Sequence, residues 1–387
     1  MDTLTLQTLR ERYERFAQAD GRDDALYCAL ATEIAQDEAL LALAAQAPPT
    51  QHLPVLLLAA LHLQVLKGAD HGLARYYASV TPQPAAPDAQ LASALRRFVA
   101  AERPALDHTL ATRRTQTNEI GRSAVLWAAL QVLAQRSGHE HFALYDFGCS
   151  AGLNLGVADY SALARDDHGQ QWRYGSAAAD APELPIHWQG HSPALLRQAQ
   201  AWRLSPGRGC DLAPLQPSSS ADTLWLQACL WPGDGARRTR LQRALALAQQ
   251  RRDPLLQHDD GLSDLAHWAP TLESTAGAPL PVLFHSWVLA YFDTAAAQAH
   301  HERALQLVRD TGLAWISAEA PARSPIEPLP PLPPGESPGS ATLWVLHWRD
   351  AHGTVQRQAL AWSHPHGRWA RAVDPTLATS PAHQGQP

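Results

Sequence analysis

The sequence is poor in cysteine, and its cysteines are isolated from one another. Four of the 387 residues are cysteine, and no two of them form a C-x-x-C pair: Cys28, Cys149, Cys210 and Cys229. Isolated cysteines argue against a zinc site and against a framework of disulfides. We therefore expect no bound metal ion and a location in the reducing cytoplasm.

A long uninterrupted apolar segment is also missing. The longest apolar run, LPVLLLAALHLQVL at residues 53–66, is interrupted by His62 and Gln64. It is shorter than the ~20 apolar residues that span a bilayer. The charged start of the chain, MDTLTLQTLRERYERF, lacks the apolar core of a signal peptide. We predict no membrane partner and interpret residues 53–66 as a buried helix.

A surplus of positive charge is absent as well. The chain has 31 Lys and Arg against 37 Asp and Glu, a net charge of -6. A nucleic-acid-binding domain usually carries a basic patch, so we expect no nucleic-acid partner. Lysine occurs only at Lys67, and asparagine only at Asn118 and Asn154. This composition suggests a GC-rich genome, in which each remaining asparagine is a candidate functional residue.

Two patterns of apolar residues divide the chain. Residues 1–136 show the spacing typical of α-helices. In residues 137–374, short apolar runs alternate with helical stretches, which is typical of a parallel sheet covered on both faces. Two final runs, joined by AHG at residues 351–353, predict an antiparallel hairpin. The predicted fold is a helical N-terminal region on a doubly wound, mostly parallel α/β domain with a C-terminal antiparallel hairpin.

Three segments depart from this alternation. Residues 166–200 are irregular, and we interpret them as an insertion with short strands. Residues 321–341 are rich in proline and predict a stiff surface loop; the alternative is a polyproline ligand for an aromatic groove. Residues 375–387 predict a disordered tail.

The segment LYDFGCSAGLNL, at residues 144–155, fits two motifs. From Gly148 to Gly152 it is G-x-S-x-G, the nucleophile elbow of a serine hydrolase, with Ser150 as the nucleophile. Taken with Asp146, it resembles the cofactor loop of an S-adenosylmethionine-dependent methyltransferase. The two interpretations give Ser150 different roles, so the rest of the chain has to separate them.

The hydrolase interpretation requires an acid and a base after Ser150 in the chain. Asp259 or Asp260 would be the acid, and His364 or His366 the base. This order is weak support in a chain with 19 histidines. The upstream chain also lacks an H-G-G segment for an oxyanion hole.

The methyltransferase interpretation makes more demands, and more of them are met. The glycines follow a predicted strand and should open a helix, and they let the backbone approach a ligand without a Cβ. Asp211 ends the predicted second strand and would pair with ribose hydroxyls, although it lies well beyond the usual ~20 residues from the loop. The glycine spacing does not match the G-x-G-x-x-G of NAD-binding folds. The predicted cofactor-binding residues are Asp146, Gly148, Cys149, Ser150, Gly152, Asn154, Asp211 and Asp260.

Other polar residues are candidates for the same pocket. Asn118, Glu119 and Arg122 share one helical face, which would lie across the pocket; a surface ion pair with a capping asparagine is the alternative. Asp259 would lie near the adenine.

His285 and Ser286 end the predicted fourth strand, where ligands of open α/β sheets bind. His285 could serve as a general base with a pKa near the working pH; a histidine bound to loop backbone is the alternative. Trp287 and Tyr291 would line an acceptor pocket, and Glu319 is a lesser candidate.

Several segments together resemble a bacterial family catalogued as domain of unknown function 2332. They are RTQTNEIGRSA, GCSAGLNL, GCDLAPL, CLWPGDGARRTRLQRALALA and VLFHSWVLAYF, and the resemblance covers roughly residues 10–370. It implies a methyltransferase-like Rossmann fold. We therefore predict a methyltransferase that uses S-adenosylmethionine and an unidentified small-molecule acceptor. The alternatives are a serine hydrolase and a non-catalytic protein that binds a nucleotide or a partner on a degenerate methyltransferase fold.

Overall fold

The computed structural model describes residues 3–19, 21, 24–116, 119–190, 193–272 and 277–373. The chain divides into two compact units: Met1–Thr117 with Ser218–Leu241, and Asn118–Pro217 with Gln242–Pro387. None of the helices within the described ranges is long and apolar enough to cross a membrane. The predicted tail at 375–387 lies outside the described residues.

The first unit is helical. Its helices are α1 (Thr3–Gln18), α2 (Ala25–Gln36), α3 (Glu38–Ala44), α4 (Pro54–Leu66), α5 (Leu91–Ala101), α6 (Arg103–Thr112) and α8 (Ser220–Ala228). Aspartates begin two of them: Asp24 accepts from Tyr27 N, and Asp37 accepts from Ala39 N. Nearly every side chain of α4 is buried, which confirms the predicted buried helix.

The second unit contains the sheet and the helices α7 (Ser123–Ser137), α10 (Gly261–Leu272) and α11 (Thr294–Thr311). Helix α9 (Gly235–Arg251) begins in the residue range of the first unit and ends in that of the second. Glycines in the left-handed conformation end α7 and α11: Gly138 has φ 74° and Gly312 has φ 75°.

Within the described residues, the sheet has twelve strands. They are β1 (His141–Phe147), β2 (Ser161–Asp166), β3 (Gln171–Gly175), β4 (Glu183–Trp188), β5 (Arg203–Leu204), β6 (Arg208–Asp211), β7 (Leu255–Gln257), β8 (Leu280–Ser286), β9 (Ala314–Glu319), β10 (Thr342–Arg349), β11 (Val355–Ser363) and β12 (Trp369–Ala372). Their order is β3-β2-β4-β12-β11-β10-β9-β8-β1-β6-β7, and β5 pairs with β1 off this path.

Most of the sheet is parallel, as predicted. Strands β7, β6, β1, β8 and β9 run parallel to one another. Strands β10 and β11 form the predicted antiparallel hairpin, and β10 is also antiparallel to β9. The sheet therefore changes from parallel to antiparallel pairing at β9.

The segment after the glycine loop does not form the expected α-helix. Residues Leu153–Asp159 form a short 3-10 helix, and β2 follows directly. Tyr160 ends the turn by donating its hydroxyl to Leu153 O at 2.6 Å. The predicted insertion at 166–200 supplies strands β3 and β4, which extend the sheet beyond β12.

Candidate functional site

The glycine loop leaves the carboxyl end of β1 and is held by the end of β6. Gly148 N and Cys149 N both donate to Cys210 O, at 2.7 and 3.1 Å. Ser150 N donates to Asp211 Oδ2 at 2.9 Å. The loop N–H groups that were expected to meet a ligand carboxylate are thus bound within the chain.

Ser150 adopts a strained backbone conformation within this loop. Its φ of 51° lies in the left-handed region, which costs a non-glycine residue roughly 1–2 kcal/mol. The bond to Asp211 and the bond from Leu215 N to Ser150 O, 2.9 Å, stabilise this conformation. Such outliers occur where the surroundings over-determine the backbone, and they concentrate at functional sites.

The two glycines of the motif make room for side chains of the chain itself. Gly148 has φ 75°, and a Cβ there would lie 2.3 Å from Val288 Cγ2. Gly152 has φ 66°, and a Cβ there would lie 2.5 Å from Leu255 Cδ2. The space expected for a ligand at these positions is occupied by Val288 and Leu255.

Asp146 is buried at the end of β1, with 2% of its surface exposed. Burial raises the pKa of Asp146 to about 7; the charge of Asp211 adds to this rise, whereas Asn154 and Arg122 oppose it. Asn154 Nδ2 donates to Asp146 Oδ2 at 3.3 Å, and Ser123 Oγ donates to Asn154 Oδ1 at 3.4 Å. The structure therefore brings together Asp146 and Asn154, two of the predicted cofactor-binding residues.

Glu119 precedes, and Arg122 ends, the short 3-10 helix Ile120–Arg122 that comes before α7. Glu119 accepts from Gly121 N at 2.9 Å and caps this helix. Arg122 donates to Pro365 O and, at 3.5 Å, to Ser286 O. Both side chains are buried, which rules out the surface ion pair. Asn118 lies outside the described residues.

His285 is fully buried, and both of its ring nitrogens are bound. Trp315 Nε1 donates to His285 Nε2 at 3.0 Å, so the ring proton is on Nδ1, which donates to Glu319 Oε1 at 2.8 Å. Burial lowers the pKa of His285 to about 3, far from the near-neutral value expected of a general base. In this geometry His285 positions Glu319 and has no nitrogen free to take a proton.

The two carboxyl oxygens of Glu319 differ in their hydrogen bonding. Its Oε1 accepts from His285 and also from Val288 N and Leu289 N, at 3.0 and 3.4 Å. Its Oε2 is buried without a hydrogen-bond partner in the described part of the chain, and so is Ser286 Oγ. Burial raises the pKa of Glu319 to about 8, so the carboxyl is largely protonated at neutral pH. The proton belongs on Oε2, since Oε1 already accepts three donors.

Asp211 is held by backbone donors on both oxygens. Besides Ser150 N on Oδ2, Ala213 N donates to Oδ1 at 2.9 Å, which is an Asx-turn. Asp211 thus fixes the loop after β1, and a role in holding ribose would use its remaining lone pairs. Cys149 is buried, and burial raises its thiol pKa, so it is not a reactive thiolate.

The acids of the hydrolase interpretation lie elsewhere. Asp260 caps α10 by accepting from Ser263 N at 3.1 Å, and it pairs with Arg303 at 2.9 Å. The Asp259 side chain is 94% exposed, with His258 at 3.6 Å as its neighbour. His364 and His366, with rings 5.4 Å apart, lie on the loop after β11. Among the described contacts of Asp259 and Asp260, none is to either histidine, so these contacts give no support to the alternative Ser-Asp-His arrangement.

Sequence reasoning missed Val288 and gave Glu319 too little weight. A glutamate at the end of a mostly apolar strand, as in AWISAE, is a detectable signal because unpaired buried carboxyl groups are costly. Val288 gives no such signal, since a valine after a strand is ordinary. Across the described ranges, no group of three or more His, Cys, Asp or Glu is arranged to hold a metal ion.

Comparison with known proteins gives a family but no activity. The family model described as "Uncharacterized protein conserved in bacteria (DUF2332)" matches residues 10–371, so the chain belongs to this family. No curated protein and no solved structure matched the chain.

Proposed function

We propose that this member of the DUF2332 family of bacterial proteins is a methyltransferase that uses S-adenosylmethionine and a small-molecule acceptor. The observation that carries the proposal is the strand order β7-β6-β1-β8-β9, with all five strands parallel. Numbered along the chain, this is the order 3-2-1-4-5 of doubly wound dinucleotide-binding folds. In such sheets ligands bind beyond the carboxyl ends of the strands where the order reverses, here β1 and β8.

Buried polar atoms at these strand ends fit a polar ligand. Glu319 Oε2 and Ser286 Oγ lack partners within the described ranges, and Asp146 is a buried carboxyl group that accepts one long hydrogen bond. Buried groups of this kind normally find partners, and a polar ligand would supply them. Asp146 would hold the amino group of the cofactor, and Asp211 would hold ribose hydroxyls.

When bound, S-adenosylmethionine supplies the reactive sulfonium, so the protein has mainly to align acceptor, methyl and sulfur. Rigid elements suit this task. Asp146 is fixed by Asn154, and the loop after β1 is fixed by Cys210 O and Asp211. We assign no proton transfer to His285, because both of its nitrogens are bound.

Calorimetric titration of cofactor-free protein with S-adenosylmethionine and S-adenosylhomocysteine tests the proposal. We expect binding that Asp146→Ala weakens at least tenfold, which corresponds to about 1.4 kcal/mol. Asp310→Ala is the matched control, because Asp310 is exposed near the end of α11, just before the start of β9, and should leave the affinity unchanged. Absence of binding to the wild type would refute the proposal.

A second candidate is a non-catalytic protein that binds a nucleotide or a partner at the same strand ends. Two observations favour it: Val288 fills the space beside Gly148, and His285 is unavailable as a base. Transfer of a labelled methyl group from S-adenosylmethionine to a mixture of cellular small molecules separates the two functions. Binding of the cofactor without transfer would favour the non-catalytic protein.

A further inference from the structure

The residues that follow β8 form a short segment between β8 and α11. We define it as the β8 segment, Trp287–Tyr291, which includes the 3-10 helix Leu289–Tyr291. Leu289 is buried, whereas Tyr291 is 72% exposed and is the most exposed large hydrophobic side chain among the described residues. The segment thus has a buried side chain, Leu289, close to an exposed one, Tyr291.

Glu319 and Thr342 hold the base of this segment. Glu319 Oε1 accepts from Val288 N and Leu289 N, and Trp287 Nε1 donates to Thr342 Oγ1 at 2.7 Å. Trp287 N also donates to Ala318 O, at 3.1 Å, and so continues the ladder between β8 and β9. These bonds attach the segment to β9 and β10, and none of them attaches it to the glycine loop.

Val288 contacts the glycine loop at Gly148. The Val288 side chain occupies the space that a Cβ at Gly148 would take, with Cγ2, Cγ1 and Cβ of Val288 at 2.3, 3.1 and 3.3 Å from that position. Gly148 follows β1 and Val288 follows β8, so this apolar contact spans the two strands where the sheet order reverses. Ligands of doubly wound sheets bind at that place.

The segment is also strained at its start. Trp287 has φ 59°, an unfavourable conformation for a bulky residue, and Ser150 on the opposite loop has φ 51°. Strain of this kind persists only while neighbouring contacts enforce it. Movement of the segment would relieve the strain at Trp287, and this relief partly offsets the loss of the Val288 contact.

We propose that the β8 segment is a plug that fills the ligand crevice between β1 and β8 in the free protein and is displaced when ligand binds. The identity of the ligand rests on the proposed function. The existence of the plug does not depend on it. Displacement exposes the backbone at Gly148 and the buried groups at the ends of β8 and β9. The plug makes ligand affinity depend on how often the segment opens.

Hydrogen–deuterium exchange of the ligand-free protein tests the plug by itself. Val288→Ala shortens the side chain that fills the crevice, and Thr342→Val removes the acceptor of the Trp287 indole. We expect each variant to exchange the amides of the β8 segment about tenfold faster than wild type, with unchanged exchange in β8 and β9. Val355→Ala, at a half-buried valine of β11, is the matched control and should leave the segment unchanged.

Two results would overturn the plug. One is an amide exchange rate of the β8 segment that equals the wild-type rate in both variants. The other is equal acceleration throughout β8, β9 and the segment, because the variants would then loosen the sheet as a whole.

Titration of the same variants with S-adenosylmethionine links the plug to the site. We expect Val288→Ala to bind about five- to tenfold more tightly than wild type, because less of the binding energy is spent on opening. Equal affinity of wild type and Val288→Ala would place the segment outside the ligand's path and overturn the plug. Faster exchange of the segment, with no cofactor binding by any variant, would support the plug and refute the methyltransferase proposal.

Discussion

The loop after β1 and the strand ends of β8 and β9 differ in how completely their polar groups are satisfied. In the loop, three successive N–H groups are bound to Cys210 O and Asp211 Oδ2. At the ends of β8 and β9, Ser286 Oγ and Glu319 Oε2 are buried without partners in the described structure. The region with the recognisable motif is the more self-contained of the two.

The difference in hydrogen bonding suggests that the glycine loop has a conformational role, whereas the ends of β8 and β9 are better suited to contact a ligand. The motif residues of the loop, Gly148 and Gly152, are required by the backbone and by close packing against Val288 and Leu255. The unsatisfied groups, Ser286 Oγ and Glu319 Oε2, lie at strand ends outside the glycine motif. An open position for a ligand is therefore better indicated by unbound buried polar atoms than by the motif.

The largest expected effect concerns the titration of Glu319. Its folded pKa of about 8 is raised above the unfolded value, so its contribution to stability is greatest below about pH 4.5 and is lost as pH rises toward 8. Glu319→Gln keeps the shape and cannot ionise. Relative to wild type it should gain about 4 kcal/mol in the free energy of unfolding between pH 4.5 and 8.

Urea unfolding at several pH values measures this gain. Glu302→Gln is the control, because Glu302 lies on the exposed side of α11. A constant difference between Glu319→Gln and wild type would contradict the raised pKa, because it would mean that Glu319 has the same pKa in the folded and unfolded states.

The next effect tests the packing of the loop. Gly148→Ala places a Cβ against Val288 in a left-handed backbone, and we expect a loss of about 2–5 kcal/mol in stability. With Val288→Ala in the same chain, the nearest remaining atom of residue 288 is its Cβ at 3.3 Å, so the cost should fall to about 1–2 kcal/mol. Urea unfolding midpoints of wild type, the two single variants and the double variant measure the coupling between Gly148 and Val288. If the two substitutions lowered stability additively, the contact between these residues would be contradicted.

A smaller effect tests whether Asp211 holds the loop. Asp211→Ala leaves Ser150 N and Ala213 N without their acceptor, and we expect a loss of about 1–3 kcal/mol in stability. Asp259→Ala removes a neighbouring but exposed carboxyl and should change stability by less than about 0.5 kcal/mol. Thermal unfolding of both variants measures these losses. Equal melting temperatures of the two variants would contradict the stabilisation of the loop by Asp211.

The smallest effect concerns Asn154. Asn154→Ala removes one long hydrogen bond to Asp146, and the expected loss of stability is about 0.5–1.5 kcal/mol. Because this bond lowers the pKa of Asp146, its removal should raise that pKa further above about 7. Carbon-detected NMR titration of the Asp146 carboxyl measures the change, and a fall in pKa would contradict the assigned bond.

Much of the sheet could be predicted from the sequence. The strands that carry the candidate site, β1, β6, β7, β8 and β9, coincide with the predicted apolar runs, and β10 with β11 forms the predicted hairpin. Short buried strands between helices leave a continuous apolar run, which periodicity detects. The expected helix after the glycine loop was wrong because Leu153–Asp159 forms only a short 3-10 helix before β2.

The sequence by itself determined which residues lie at the strand ends, since each follows an apolar run that can be identified locally. Only the tertiary structure decided what those residues do there. Whether His285 is a base or a positioning residue depends on Trp315 and Glu319, which are 30 and 34 residues away. Whether Gly148 faces a ligand or Val288 depends on contacts across two strands. Hydrogen-bond partners and burial arise from such long-range packing, and local sequence patterns do not contain them.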